Sequence, residues 1–159
     1  MNEQAMQSIV QAVVSKIKAS DDITLSVAQA VAKKVRARAE QLGVKAVVAI
    51  SNRAAHPVLV ESMDDAYIAS YDIAVQKAFT VVSLKMSTST LKPLAQPGGS
   101  LYGIQFTNGG KIVIFGGGEP LKNSKGEIIG GIGVSGGSEE QDTKLAAYGK
   151  EIFEKGQYL

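Results

Sequence analysis

Apolar residues recur at helical spacing from the start of the chain. Met6, Ile9, Val10, Val13, Val14 and Ile17 fall on one face of residues 1–18, and Asn2, Glu3, Gln7, Gln11, Ser15 and Lys18 fall on the other. The spacing predicts a short amphipathic helix. Ala19, Ser20, Asp21 and Asp22 interrupt it. A second helix is predicted over about 24–42, with Thr24 as N-cap and Leu25, Ala28, Val31, Ala32, Val35, Ala39 and Leu42 as its apolar stripe. Lys33, Lys34, Arg36 and Arg38 suit the negative end of its dipole, and Gly43 suits its stop.

Val44 to Ile50 is a β-branched apolar run, predicted as a buried strand. Pro57 to Met63 reads as its hairpin partner, joined by a turn over Ser51–His56. From Ser70 to Leu84 the residues Ile73, Ala74, Val75, Ala78, Phe79, Val81 and Val82 make a helix apolar on most sides, expected to be central and well buried. Ser87 to Leu94 adds a further turn or two of helix, ended by Pro97-Gly98-Gly99. Beyond it, Leu101–Thr107 and Lys111–Phe115 flank Asn108-Gly109-Gly110 and read as a second hairpin. Gly116-Gly117-Gly118 breaks its second strand. A turn at Asn123–Gly126 leads into a strand over Glu127–Val134. A last helix starts at a capping box, Ser138 with Gln141, and turns Leu145, Gly149, Ile152 and Phe153 inward. Hairpins dominate this order. The expected fold class is therefore α+β: an α-β-α layered domain whose mostly antiparallel sheet has about five strands.

Composition narrows the chemistry. The chain has 159 residues, no cysteine and one histidine. That removes disulfides, thiolate metal sites, cysteine nucleophiles and any two-histidine metal site within one copy. The absence of tryptophan, the low aromatic content of 6% and a net charge of +2 argue against a nucleic-acid surface. No apolar run approaches the roughly 20 residues that a membrane span needs. The N-terminus lacks the pattern of a secretory signal, so the expected location is the cytoplasm. Of the 17 glycines, 14 lie between Gly98 and Gly137, so the second half of the chain is turn-rich.

A few residues carry candidate chemistry. Gly131-Ile132-Gly133-Val134-Ser135-Gly136 matches the dinucleotide fingerprint G-x-G-x-x-G, but that reading needs a following strand in a βαβ unit, and the remaining 23 residues read as helix. The same glycines read more simply as a strand end packed against a helix. Gly136 and Gly137, ahead of the last helix, also offer backbone N–H groups to an anion such as a propionate or phosphate. His56 lies in a turn; a lone histidine is more often a surface residue, yet its imidazole could ligate a tetrapyrrole metal. Met63, Met86 and Tyr102 could ligate or stack, the two methionines reading rather as core. Asp64 or Asp65 could cap the helix that follows, as could Ser70 or Asp72. Lys77 sits mid-helix among apolar residues, where a charge is costly unless paired; Asp72 and Asp64 are its candidate partners.

Several runs are distinctive in combination: Met63-Asp64-Asp65-Ala66, Asp72-Ile73-Ala74, Lys77-Ala78-Phe79-Thr80, Leu94-Ala95-Gln96-Pro97-Gly98-Gly99-Ser100-Leu101-Tyr102-Gly103, Thr107-Asn108-Gly109-Gly110, Gly130 through Gly137, and Glu140-Gln141-Asp142. Together, over about residues 24–155, they resemble the GlcG/HbpS-like haem-binding family, in particular the C-terminal domain of PduO-type proteins. The resemblance implies an α-β-α layer with an antiparallel sheet, a homo-oligomer, and haem as ligand in preference to a corrinoid. It marks Asp64, Asp72, Lys77 and Gln96 as motif residues without assigning them roles. Some haem-binding relatives use a histidine on an early helix, and the helix at 24–42 has none, so His56 or a non-histidine group is left as axial ligand. Tyr102, Gly136 and Gly137 are the further candidates for the cofactor site.

Residues 1–20 carry a second resemblance, to the encapsulation peptides of bacterial microcompartment cargo. This implies docking of the apolar face onto a shell or cargo protein, and divides the chain into that helix and a domain over 21–159. The expected function is a tetrapyrrole-binding accessory protein of a microcompartment or cobalamin-linked pathway, cytoplasmic or in the microcompartment lumen. An enzyme acting on a small carboxylate or aldehyde through Lys77 or Tyr102 is the alternative, as is a non-catalytic oligomeric scaffold.

Overall fold

The computed structural model describes residues 2–18 and 22–158, and of residues 14–18 the backbone alone. Ala19, Ser20 and Asp21, and the side chains of Val14, Ser15, Ile17 and Lys18, lie outside the described residues. Among the described residues there are five α-helices: α1 (Glu3–Lys18), α2 (Leu25–Gln41), α3 (Ile68–Ser83), α4 (Thr88–Leu94) and α5 (Glu139–Glu154). The strands are β1 (Val47–Asn52), β2 (Pro57–Ser62), β3 (Gly118–Lys122) and β4 (Ile128–Ser135). They form one antiparallel sheet in the order β2-β1-β4-β3.

The caps follow from the residues. Thr24 Oγ1 accepts from the Val27 N–H at the start of α2. Gly43 takes a φ of 68° just after its end, in the left-handed region that favours glycine. Ser138 and Gln141 close a reciprocal capping box on α5. Asp64 and Asp65 do not cap α3; its N-cap is Tyr67, which offers no side-chain bond.

Three layers result. α2 and α5 cover one face of the sheet, where Val31, Val35, Val48, Ile50, Leu121, Ile132, Leu145 and Ile152 make the larger core. α3 covers the other face, over Val47, Ala49, Ala74 and Ala78, with α4 beside it against β3. The α+β layered class expected from the sequence holds, with four strands in place of about five. Leu101–Phe115 is not a hairpin. Asn108, Gly109 and Gly110 have φ values of 51°, 65° and 77°, and three successive left-handed residues coil the chain into a short turn instead of reversing it in two residues. Ile112 and Val113 are buried, but the Val113 N–H donates to Thr80 Oγ1 on α3 and no strand pairs with it. The segment read as strand-breaking glycines instead begins β3. Pro120, which cannot donate to a ladder, is tolerated because β3 is an edge strand.

α3 is central but not enclosed. Its buried stripe is small, Ala74, Ala78 and Val81 with Ser70, Lys77 and Thr80, while Ile68 and Tyr71 stand exposed on the outside. The small stripe matches the glycines of β4. A methyl built on Gly133 would lie 2.1 Å from the Ala74 carbonyl oxygen and 2.7 Å from the Ala78 nitrogen, and one on Gly131 would lie 2.7 Å from the Ala78 oxygen. The backbone of α3 thus rests directly on the backbone of β4. Gly133→Ala is expected to push the helix off the sheet and to lower the unfolding free energy by about 2 kcal/mol or more, measured by urea denaturation. A wild-type midpoint would show that this close approach is dispensable.

Candidate functional site

The close contact of α3 with β4 sets a helix lysine against the sheet. Lys77 is fully buried, and its Nζ donates to the Val134 carbonyl oxygen at 2.7 Å and to Asp142 Oδ2 at 3.2 Å. The ammonium also lies 5.0 Å from the centre of the Phe115 ring. The partner is therefore neither Asp72 nor Asp64. Both of those are exposed, Asp72 on the outer side of α3 and Asp64 beyond the end of β2. Asp142 is in the first turn of α5. Its Oδ1 accepts from the Gly137 N–H at 2.8 Å, with the Gly136 N–H adding to that stabilisation. Burial pushes Lys77 below the usual lysine range and Asp142 above the usual carboxylate range, and their mutual attraction opposes both shifts.

This pair joins three elements. α3 supplies the lysine, α5 the carboxylate, and the end of β4 both a carbonyl and an N–H group. The glycine segment before β3 is held beside it. The Gly116 N–H donates to Glu139 Oε1, Lys92 Nζ donates to Glu139 Oε2 at 2.6 Å, and the Gly118 N–H donates to Thr88 Oγ1. The hydrogen bond from Lys92, helped by that from Gly116, holds the Glu139 carboxyl below its usual range.

Next to the pair a cleft of about 310 Å³ opens between the starts of α3 and α5. Tyr67, Ile73 and Phe115 form its apolar walls, and Ser70, Ser135, Glu139 and Asp142 its polar part. Ser135 Oγ donates to Ser70 Oγ at 3.0 Å. Gly136 and Gly137 also line the cleft, but the anion-accepting groups expected there are occupied from within by Asp142.

The other sequence candidates do not converge on it within one copy. β1 pairs with β4 so that Val47 faces Ser135 and Asn52 faces Gly130. His56, past Asn52 in the hairpin turn, is therefore about 16 Å or more from the Gly136 end at the usual strand rise. It is exposed, and its backbone N–H is held by the Asn52 side chain. Tyr102 is exposed in the coiled segment after α4. Gln96 is exposed and donates to the Lys92 carbonyl oxygen. Met63 packs against the larger core. Ser135, Phe115 and the pairing role of Asp142 were not foreseen. Asp142 carried a usable signal: with Leu145, Ala146, Gly149 and Ile152 it lies on the inner stripe of α5, a carboxylate where only apolar residues belong.

Lys77→Met would leave the Asp142 carboxylate buried without its cation. It is expected to cost about 3–5 kcal/mol. Lys77→Met with Asp142→Leu should recover most of that loss. Equal destabilisation by the single and double variants, in thermal or urea unfolding, would show that the ion pair is not the cause.

Comparison with known proteins fits this geometry to a family. A protein of Citrobacter freundii described as an uncharacterised 15.0 kDa protein in the dhaT-dhaS intergenic region is 42% identical over 131 residues, covering 82% of this chain and 92% of that one. The corrinoid adenosyltransferase PduO of Salmonella typhimurium is 43% identical over 109 residues, which are 69% of this chain but only 32% of that protein. The solved complex of PduOC with haem superposes with a TM-score of 0.77 at 36% identity, covering 81% of this chain and 93% of that one. The model of the HbpS-like family, described as haem degrading protein HbpS-like, matches residues 23–151, a span that holds α2 through most of α5 and excludes α1. The chain belongs to the HbpS-like family.

Proposed function

We propose that this chain binds haem as an accessory protein and does so as a homo-oligomer. The observation that carries the proposal is the likeness to PduOC, a relative solved with haem, over 93% of that chain. Haem is preferred to a corrinoid because haem is the tetrapyrrole in that complex; the adenosyltransferase match spans about a third of the enzyme and brings no corrinoid chemistry with it. The residues fit the group in part. Tyr67, Ile73 and Phe115 in the cleft, with exposed Ile68 and Tyr71 on the same end of α3, offer an apolar face to a macrocycle. Glu139 and Asp142 line the polar side of that cleft and would not favour the anionic propionates there.

The imidazole of His56 is the candidate axial ligand. Within one copy it lies at the far end of the sheet from the cleft, so it would hold the group only from a second copy of the chain. The open outer side of α3, with Ile68 98% exposed, supports self-association. Bound haem supplies the redox and ligand-binding chemistry of its iron; the chain supplies the apolar seat and the nitrogen ligand. The enzyme alternative has less support. Lys77 is bonded to Val134 and Asp142 and does not line the cleft, which leaves Tyr102, exposed in a surface turn, as its remaining residue.

Haemin titration should give a saturable Soret shift at micromolar concentration, and His56→Ala should displace that band or weaken binding about tenfold or more. Wild-type protein with no Soret shift overturns the haem proposal. An unchanged band in the variant overturns the role of His56.

The proposal extends to α1 as a docking helix that carries the domain to a microcompartment shell or to cargo inside it. Met6, Ile9, Val10 and Val13 are each about half exposed, and the helix lies outside the span matched by the family. Deleting residues 1–21 should leave the melting temperature within a few degrees of wild type, because none of the side chains described over residues 2–13 is buried. Fusing them to a fluorescent reporter should bring it into microcompartments. An unfolded deletion variant or a diffuse reporter would overturn the docking role.

A further inference from the structure

We propose that the floor of the cleft between α3 and α5 is a binding site for a small neutral hydroxylic molecule, a polyol or hydroxy-ketone, held by Ser70, Ser135 and Asp142. The argument rests on the groups of that floor and does not depend on haem binding. Ser70 and Ser135 are only 3% and 5% exposed, yet both line the cleft. Ser135 Oγ donates to Ser70 Oγ, and among the described residues Ser70 Oγ accepts this bond and donates none. A buried hydroxyl proton without an acceptor is unfavourable. An oxygen placed in the cleft is the acceptor it lacks.

The complementary group stands in the same cleft. Asp142, 4% exposed, accepts from Gly137 on one oxygen and from Lys77 on the other. The Gly136 N–H is a third donor to this carboxylate, which has about four acceptor sites, so room for one hydroxyl remains. The floor thus offers one donor and one acceptor, which a hydroxyl or a hydroxy-carbonyl pair matches. Charge selects the class further. The acidic groups lining the cleft are Glu139 and Asp142, and their ammonium partners Lys92 and Lys77 do not line it. A carboxylate ligand meets these two carboxylates as the nearest charged groups, their paired ammoniums lying outside the lining. A cation finds both carboxylates already paired. The rings of Tyr67 and Phe115 close the sides and take the C–H faces of a small carbon chain.

The test is an amide NMR titration of the haem-free protein with glycerol and with hydroxyacetone, with lactate and methylammonium as charged controls. Saturable shifts centred on Ser70, Ser135, Gly136 and Gly137 are expected from at least one neutral probe, with binding of lactate weaker by about tenfold or more. Ser70→Ala should lose about tenfold in affinity for that probe. Tyr67→Ser, at an exposed position that tolerates change, should weaken it severalfold and serves as the second variant if Ser70→Ala does not fold. Shifts that grow linearly with every probe, or that persist unchanged in the variants, would show that the floor is satisfied by water and overturn the proposal. Because haem is absent throughout, failure here and failure of the haem titration are separate results.

Discussion

The backbone of α3 lies against the backbone of β4 because β4 carries no side chains where the helix crosses it. At Gly133 and Gly131 the space for a Cβ is filled by carbonyl oxygens of α3. The contact leaves room on the helix for only a narrow stripe of alanines. It also brings Lys77 within reach of a sheet carbonyl and places Ser70 opposite Ser135. A valine or threonine at Gly133 would move the helix outward by the width of a side chain, and the lysine would lose both of its partners. The glycine-rich fingerprint in this chain is therefore a packing device, with no nucleotide to cradle.

Once Lys77 is buried, the rest of the site follows from satisfying its charge. A lone ammonium in the core is too costly to persist, and Asp142 neutralises it from α5. The carboxylate in turn takes the N–H of Gly137, which fixes the helix start against the end of β4. The anion-binding end of α5 is thereby used internally. Glu139 extends the arrangement outward to Gly116 and Lys92. What remains open is a cleft with aromatic walls and a floor of buried polar groups.

Among the described residues, two of the exposed apolar regions lie on helices. One is the face of α1, outside the matched span of the family. The other is the outer side of α3, next to the cleft mouth. Each follows from the layer count: α2 and α5 together cover one face of the sheet, and α3 has nothing above it. Among the described residues the helices that cover the sheet leave both of these surfaces exposed.

By itself the sequence determined the five α-helices, the first hairpin and the strand over β4, because each rests on local periodicity and on caps such as Thr24 with Val27 and Ser138 with Gln141. It determined that Lys77 needs a partner, because a charge on an apolar stripe is unfavourable wherever the helix packs. It did not determine which partner: Asp142 is 65 residues away in the chain, and only the three-layer packing brings the two together. The false hairpin at 101–115 arose for a related reason. Asn-Gly-Gly satisfies a tight turn locally, but hydrogen bonding of Val113 to Thr80 and a third left-handed residue prevail over it. The edge strand β3 was hidden because proline and glycine argue against a strand until its position at the edge of the sheet is known. The cleft, too, belongs to tertiary structure alone. Ser70 and Ser135 look like a helix-start residue and a strand end in the sequence, and become a site only because glycine lets the helix touch the sheet.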